Sequence, residues 1–113
     1  MKLETLRRYA LSLEGVTEAP HHHYSSFRVA GRIFVTVPPE GDVIHVFVGE
    51  DDRERTLAAY PEWADKLLWG GKVRGLRITL SLAAAPAVKA LALRAYEACA
   101  ATRPRRARPR GST

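Results

Sequence analysis

Ser25–Val37 reads SSFRVAGRIFVTV. Phe27 and Val29 fall on one side of an extended chain and Arg28 on the other, because strand side chains alternate between faces. Ala30-Gly31 interrupts the run, and glycine enters the positive-φ region that a tight hairpin turn uses. Arg32–Val37 then runs back with the same alternation. The stretch predicts an antiparallel hairpin with strands at 25–30 and 32–37, a foundation for a sheet.

Outward from this hairpin the punctuation is strong. Pro38-Pro39-Glu40-Gly41-Asp42 makes a turn, and 43–48, rich in β-branched residues, predicts a third strand. Glu50-Asp51-Asp52 opens a short helix that runs to Ala59. Acids in a first turn complement the positive end of the helix dipole, and Pro61 stops the helix near Tyr60. A short strand at 66–69, a Gly70-Gly71 turn and a long strand at 72–82 follow. In the last, Leu76, Ile78, Leu80 and Leu82 alternate with Gly75, Arg77, Thr79 and Ser81. Upstream, Leu3, Leu6, Ala10 and Leu13 line one face of a helix over 2–13, which Gly15 ends. The alanine-rich segment 84–101 predicts a third helix, with Pro86 near its start and Val88, Leu91, Ala95 and Cys99 as its buried stripe. The order α-β-β-β-α-β-β-α describes an α+β fold of two layers, a mainly antiparallel sheet packed on helices.

The 113 residues fit one domain, and 46% hydrophobic content suffices for a core. Arg103, Arg105, Arg106, Arg108 and Arg110 crowd the last eleven residues with two prolines and no acid. The expected division is a domain over 1–102 and a disordered Arg/Pro-rich tail over 103–113. Those five arginines account for five of the six net positive charges, so the domain itself is nearly neutral. No apolar run approaches the roughly 20 residues of a membrane span, so no membrane partner is expected. The N-terminal residues lack a signal-peptide pattern, and one cysteine fits a reducing compartment. The expected location is cytoplasmic.

Motifs for chemistry are sparse. His21-His22-His23 supplies three imidazoles, but adjacent residues on an extended strand point to alternate sides and do not share one ion. One buried histidine with exposed neighbours is the simpler expectation. Glu50, Asp51, Asp52 and Glu54 are accounted for by the helix dipole without iron. Cys99 sits on an apolar stripe and reads as a small core residue. There is no nucleophile elbow, phosphate loop or dinucleotide fingerprint. No catalytic residue, metal or cofactor is expected, and a binding module is favoured over an enzyme.

The sheet face opposite the core carries the functional expectation. With Ile33, Val35, Val37, Ile44, Val46, Val48, Ile78 and Leu80 inward, alternation sends Arg28, Arg32, Phe34, Thr36, His45, Phe47, Arg77 and Thr79 outward. Arg28, Arg32 and Arg77 would bind phosphates, and Phe34 and Phe47 would stack on unpaired bases. The arginines of the tail would add attraction without sequence preference. The function expected is non-catalytic nucleic-acid binding of low sequence specificity. A solvated face without a partner, and a protein partner or homodimer seated on the same face, remain open.

LSLEGVTEAPHHHYSSFRVAGRIFVTV (Leu11–Val37) resembles the opening of the MmcQ/YjbR family. That family shows a helix ending in Leu-x-Gly-Val, a histidine, and then Phe-Arg-Val-x-Gly-Lys-Ile-Phe. Leu13, Gly15, Val16, His21, Phe27, Val29, Gly31, Ile33 and Phe34 fit, Arg32 replaces the lysine, and three histidines stand where the family usually has one. Trp69-Gly70 and the strand through Ile78 resemble its second β section. The resemblance, over about residues 3–100, implies a two-layer fold similar to that of secretion chaperones and of frataxin (CyaY-like). It also implies DNA binding, and no catalytic residues.

Overall fold

A computed structural model of the chain describes residues 1–101. Arg103, Arg105, Arg106, Arg108 and Arg110 lie outside the described residues. The elements are α1 (Leu3–Ser12), β1 (Thr17–His21), β2 (Tyr24–Val29), β3 (Arg32–Val37), β4 (Val43–Val46), α2 (Glu50–Ala59), β5 (Ala64–Trp69), β6 (Lys72–Thr79), a 3₁₀ turn (Leu80–Leu82) and α3 (Ala85–Ala101). All six strands form one antiparallel sheet in the order β1-β2-β3-β4-β6-β5. The fold is α+β, with one strand more than the sequence pattern indicates.

That extra strand is β1. Pro20 has no N–H to give a ladder, which argues against a strand at this point in the sequence. β1 is an edge strand, however, and an edge tolerates proline where its missing donor would face away from the sheet. Three two-residue turns link neighbouring strands. Ala30-Gly31 has φ of 53° and 77°, Gly70-Gly71 has 60° and 79°, and His22 reaches φ 60° between β1 and β2. Positive φ at these positions matches the right-handed twist of paired strands.

One sheet face is covered by helices. Leu6 and Ala10 of α1 and Val88, Leu91, Ala92 and Ala95 of α3 pack on Phe27, Val35, Ile44, Val46, Leu76 and Ile78. α1 is also tied to the β1 edge, where Arg7 Nε donates to both Glu18 carboxylate oxygens at 3.0 and 3.2 Å. α2 joins α3 through Arg94 Nε and Asp52 Oδ1, 2.7 Å apart.

The expectation of one buried histidine fails, since His21, His22 and His23 are all exposed, and two expectations about the strands need correction. The long strand stops at Thr79 rather than Leu82. Asp42 accepts from Ser81 N and Ser81 Oγ at 3.0 and 2.8 Å, which curls Leu80–Leu82 into a 3₁₀ turn and leaves Leu82 exposed. The second correction is a β-bulge in β3. Phe27 pairs with Val35 but Arg28 pairs with Ile33, so Phe34 is an extra residue at that step. Phe34 and Val35 therefore both enter the helix-side core. Phe34 is wholly buried and meets the Tyr96 ring edge-on at 5.8 Å. Ile33 and Thr36 both come out on the other side.

Candidate functional site

The face away from the helices is neither flat nor bare. Register places Ser26, Thr36, His45, Arg77 and Asp65 in one row across β2, β3, β4, β6 and β5. Directly paired residues share a face. Tyr24 and Arg28 lie two residues either side of Ser26, Phe47 two beyond His45, and Leu67 and Trp69 beyond Asp65, so all reach this face as well.

The middle of the row is a buried polar pair. Thr36 and His45 are only 2% and 6% exposed, and Thr36 Oγ1 lies 3.3 Å from His45 Nδ1. Burial pushes the His45 imidazole below its ordinary pKa, and the Arg77 charge pushes the same way against a weaker pull from Glu40. His45 is therefore neutral at pH 7. Rings gather round it. Tyr24 stands 6.0 Å away, Trp69 meets it edge-on at 5.9 Å, and Phe47 lies 5.6 Å from Trp69 between centroids. Gly75 makes room for this cluster: a Cβ there would fall 2.5 Å from the Val46 carbonyl oxygen and 3.3 Å from the Phe47 ring.

These rings wall a cleft of about 440 Å³. Tyr24, Phe47 and Trp69 form its aromatic sides with Ile33, and Thr36 lies at its floor. His21 and His22 stand at the rim, their rings tilted 4.8 Å apart. The volume and largely apolar lining are those of a small-ligand pocket. Trp69 remains 45% exposed, and Leu68 beside it 59%. Among the described residues, no three or more His, Cys, Asp or Glu side chains group as metal ligands.

The arginines are placed differently from the expectation. Arg28 and Arg77 are on the cleft face, but β3 and β4 separate their strands, about 14 Å at ordinary strand spacing. Arg28 Nε donates to Ser26 Oγ at 3.0 Å and Arg28 Nη2 to the Pro20 carbonyl at 3.3 Å. Arg77 lies opposite Asp65 in register. Arg32 pairs across its hairpin with Val29, a core residue, and its charge acts on the Cys99 thiol of α3. It is on the helix side. Among the described residues, Arg28, Arg32 and Arg77 do not make one continuous platform on the cleft face. Phe34 is likewise removed from it by the bulge, and no base can reach it. Phe47 does line the cleft.

The sequence reading missed Tyr24, Ile33 and Trp69 as site residues. Tyr24 shares the parity of Arg28, and Trp69 that of Asp65, which is a usable signal once β5 is extended back to Ala64. Ile33 carries no such signal, because only the bulge turns it over. Cys99 is half-buried, and its thiol pKa is raised by burial despite the opposing Arg32 charge, which leaves it a poor nucleophile. No helix among the described residues is long and apolar enough to cross a membrane.

Comparison with curated proteins finds no match. The family model for YjbR matches residues 11–97, a span that holds every cleft residue and all six strands. The chain belongs to the YjbR family.

Proposed function

We propose that this chain is a non-catalytic module that binds single-stranded nucleic acid through the cleft face. The observation that carries the reading is the exposed aromatic cleft formed by Tyr24, Phe47 and Trp69. Base-on-ring stacking contributes about 1–3 kcal/mol per base and tolerates any base. Arg28 and Arg77 flank the cleft and take phosphates of the same strand. Neither is in an ion pair among the described residues. A duplex is disfavoured. Its bases are already stacked and paired, and two separated arginines do not match its dense phosphate charge. The reading agrees with the nucleic-acid role that the family resemblance implies.

The test is a titration of labelled single-stranded and duplex DNA at several salt concentrations, with the full chain and with a chain lacking residues 103–113. The truncated chain retains single-strand binding with a shallow salt slope of about −1.4, the value for two phosphate contacts on a single strand. Trp69→Ala lowers that affinity by about tenfold or more. Loss of all binding on truncation, or equal affinity for duplex and single strand, overturns the reading.

A second reading is favoured by Leu68 and Trp69, both exposed next to the β5–β6 turn. A second copy or a protein partner seated there would cover them. It predicts concentration-dependent dimers in sedimentation that Phe47→Ser or Leu68→Ser abolishes.

A further inference from the structure

We infer that the cleft reads the hydrogen-bonding edge of one uncharged heteroaromatic ring, with the Thr36 hydroxyl as the reading group and His45 as the residue that positions it. The inference rests on the single-strand reading above and names what within the strand enters the cleft.

Thr36 is the buried polar side chain at the floor of a cleft whose walls are mostly apolar and whose rim carries the exposed His21 and His22. A hydroxyl has one donor and two acceptor sites. Its side-chain contact to His45 Nδ1 uses one of these and leaves the others for a ligand. A neutral imidazole carries its proton on either nitrogen. With Nδ1 bare, Thr36 donates to it and offers oxygen lone pairs to the ligand. With Nδ1 protonated, Thr36 accepts from it and donates its own proton to the ligand. The pair therefore presents a donor or an acceptor by a tautomer change, without moving a heavy atom. A base edge, which carries both kinds of group, suits such a floor.

The walls set the rest of the ligand class. Phe47 and Ile33 carry no hydrogen-bonding group, Tyr24 and Trp69 carry one donor each, and His21 and His22 stand exposed at the rim. A phosphate or carboxylate at the floor would therefore exchange most of its hydration for few donors. The ring goes in, and the phosphates stay outside near Arg28 and Arg77. An uncharged nucleoside is consequently sufficient for recognition, with the phosphodiester adding affinity only. His45 is held in its positioning role from three sides, by Thr36 on β3, by the rings of Tyr24 and Trp69 on β2 and β5, and by register with Arg77 on β6.

The experiment is an NMR titration of the full chain with thymidine and with adenosine, following the Trp69 indole N–H and both His45 ring nitrogens. Saturable movement of the indole signal, with changes at the His45 nitrogens that differ between the two nucleosides, is the expected result. Thr36→Val, which removes the hydroxyl and keeps the shape, weakens nucleoside binding roughly fivefold, the worth of one net hydrogen bond. Thr36→Ser restores it. Should Thr36→Val fail to fold, the His45 nitrogen shifts in the unaltered chain decide alone. Static nitrogen shifts at saturation, or equal nucleoside affinity in Thr36→Val, overturn the inference. Those results leave the nucleic-acid reading standing if oligonucleotides still bind the truncated chain. Nucleoside binding that depends on Thr36, with no oligonucleotide binding, removes the nucleic-acid reading and keeps the edge-reading role for a free heterocycle.

Discussion

The two faces of one sheet obey different chemistry. The helix side is apolar and closed, with Phe27, Phe34, Val35, Ile44, Val46, Leu76 and Ile78 under α1 and α3. The cleft side mixes rings with a neutral, hydrogen-bonded polar pair and leaves Trp69 half in solvent. The first face holds the core of the fold, and the second leaves an open cleft. The division is made residue by residue, and the β3 bulge shows how little it takes to move a side chain between faces. Phe34 of β3 and Phe47, the residue after β4, are joined by a backbone bond, the Phe47 N–H donating to the Phe34 carbonyl at 3.1 Å. Yet one ring is core and the other lines the cleft.

The largest expected effect comes from exchanging those two rings for alanine. Phe34→Ala should cost about 3–5 kcal/mol of stability, the usual loss for a buried phenylalanine. Phe47→Ala, half-buried, should cost about 1 kcal/mol and weaken single-strand binding. Urea denaturation with a binding titration separates the two. Equal stability losses would mean the two faces are not distinct.

Next comes Gly75→Ala. The added carbon cannot avoid the Val46 backbone oxygen, so the strands must part or shift. A loss of about 1–3 kcal/mol is expected, together with movement of Phe47 visible in its ring NMR signals. A variant as stable as the parent would show that the close approach of β4 and β6 is not required.

Acid should weaken the cleft face before the helix face. His45 has a lowered pKa in the fold, so the unfolded chain takes up that proton first. Its contribution is complete above the ordinary histidine value of 6.5 and falls as pH drops below it toward the folded value. Glu18 responds later. Burial raises its carboxyl, but hydrogen bonds from Arg7 and Ser25 and the Arg7 charge outweigh that and hold it below the ordinary 4.5. The stability it contributes is present above 4.5 and is lost as pH falls through its folded value. Urea midpoints should therefore decline between pH 7 and pH 5, and His45→Gln should flatten the decline. An unchanged slope in His45→Gln would assign the effect elsewhere.

The smallest effect should be at Arg32. Arg32→Ala leaves single-strand affinity of the truncated chain unchanged, whereas Arg28→Ala with Arg77→Ala lowers it and flattens the salt slope. Weaker binding in Arg32→Ala would place its side chain back on the cleft side.

Much of this arrangement is legible in the residues alone. Alternation in Leu76–Ile78 and Ile44–Val46 and the three-four spacing of Leu6 and Ala10 mark the core, because regular elements repeat with fixed periods. The turns announce themselves through glycine at Ala30-Gly31 and Gly70-Gly71. The parity of Phe47, His45 and Arg77 follows from the same alternation. What escapes is whatever interrupts a period. Phe34, Ile33 and Arg32 all sit at or before the bulge, and nothing in Arg32-Ile33-Phe34-Val35 signals an inserted residue. β1 escapes because the merit of Pro20 depends on where the strand lies in the sheet. The cleft itself arises from rings on β2, β4 and β5, brought together only by strand order.

Strand order also shapes how the chain reaches this state. Four of the five strand pairings join elements adjacent in sequence, three of them through two-residue turns. Only β4 against β6 reaches across α2 and β5, from Val43 to Thr79. Closing that seam fixes the longest loop in the sheet, and loop closure must be met before distant contacts can repay it. The topology therefore predicts that two locally zipped halves form first and that their union along His45 and Arg77 is the slower step, which stopped-flow refolding of an Arg77→Ala variant would check. On that order the cleft, whose rings come from both sides of the seam, is complete only once the seam closes.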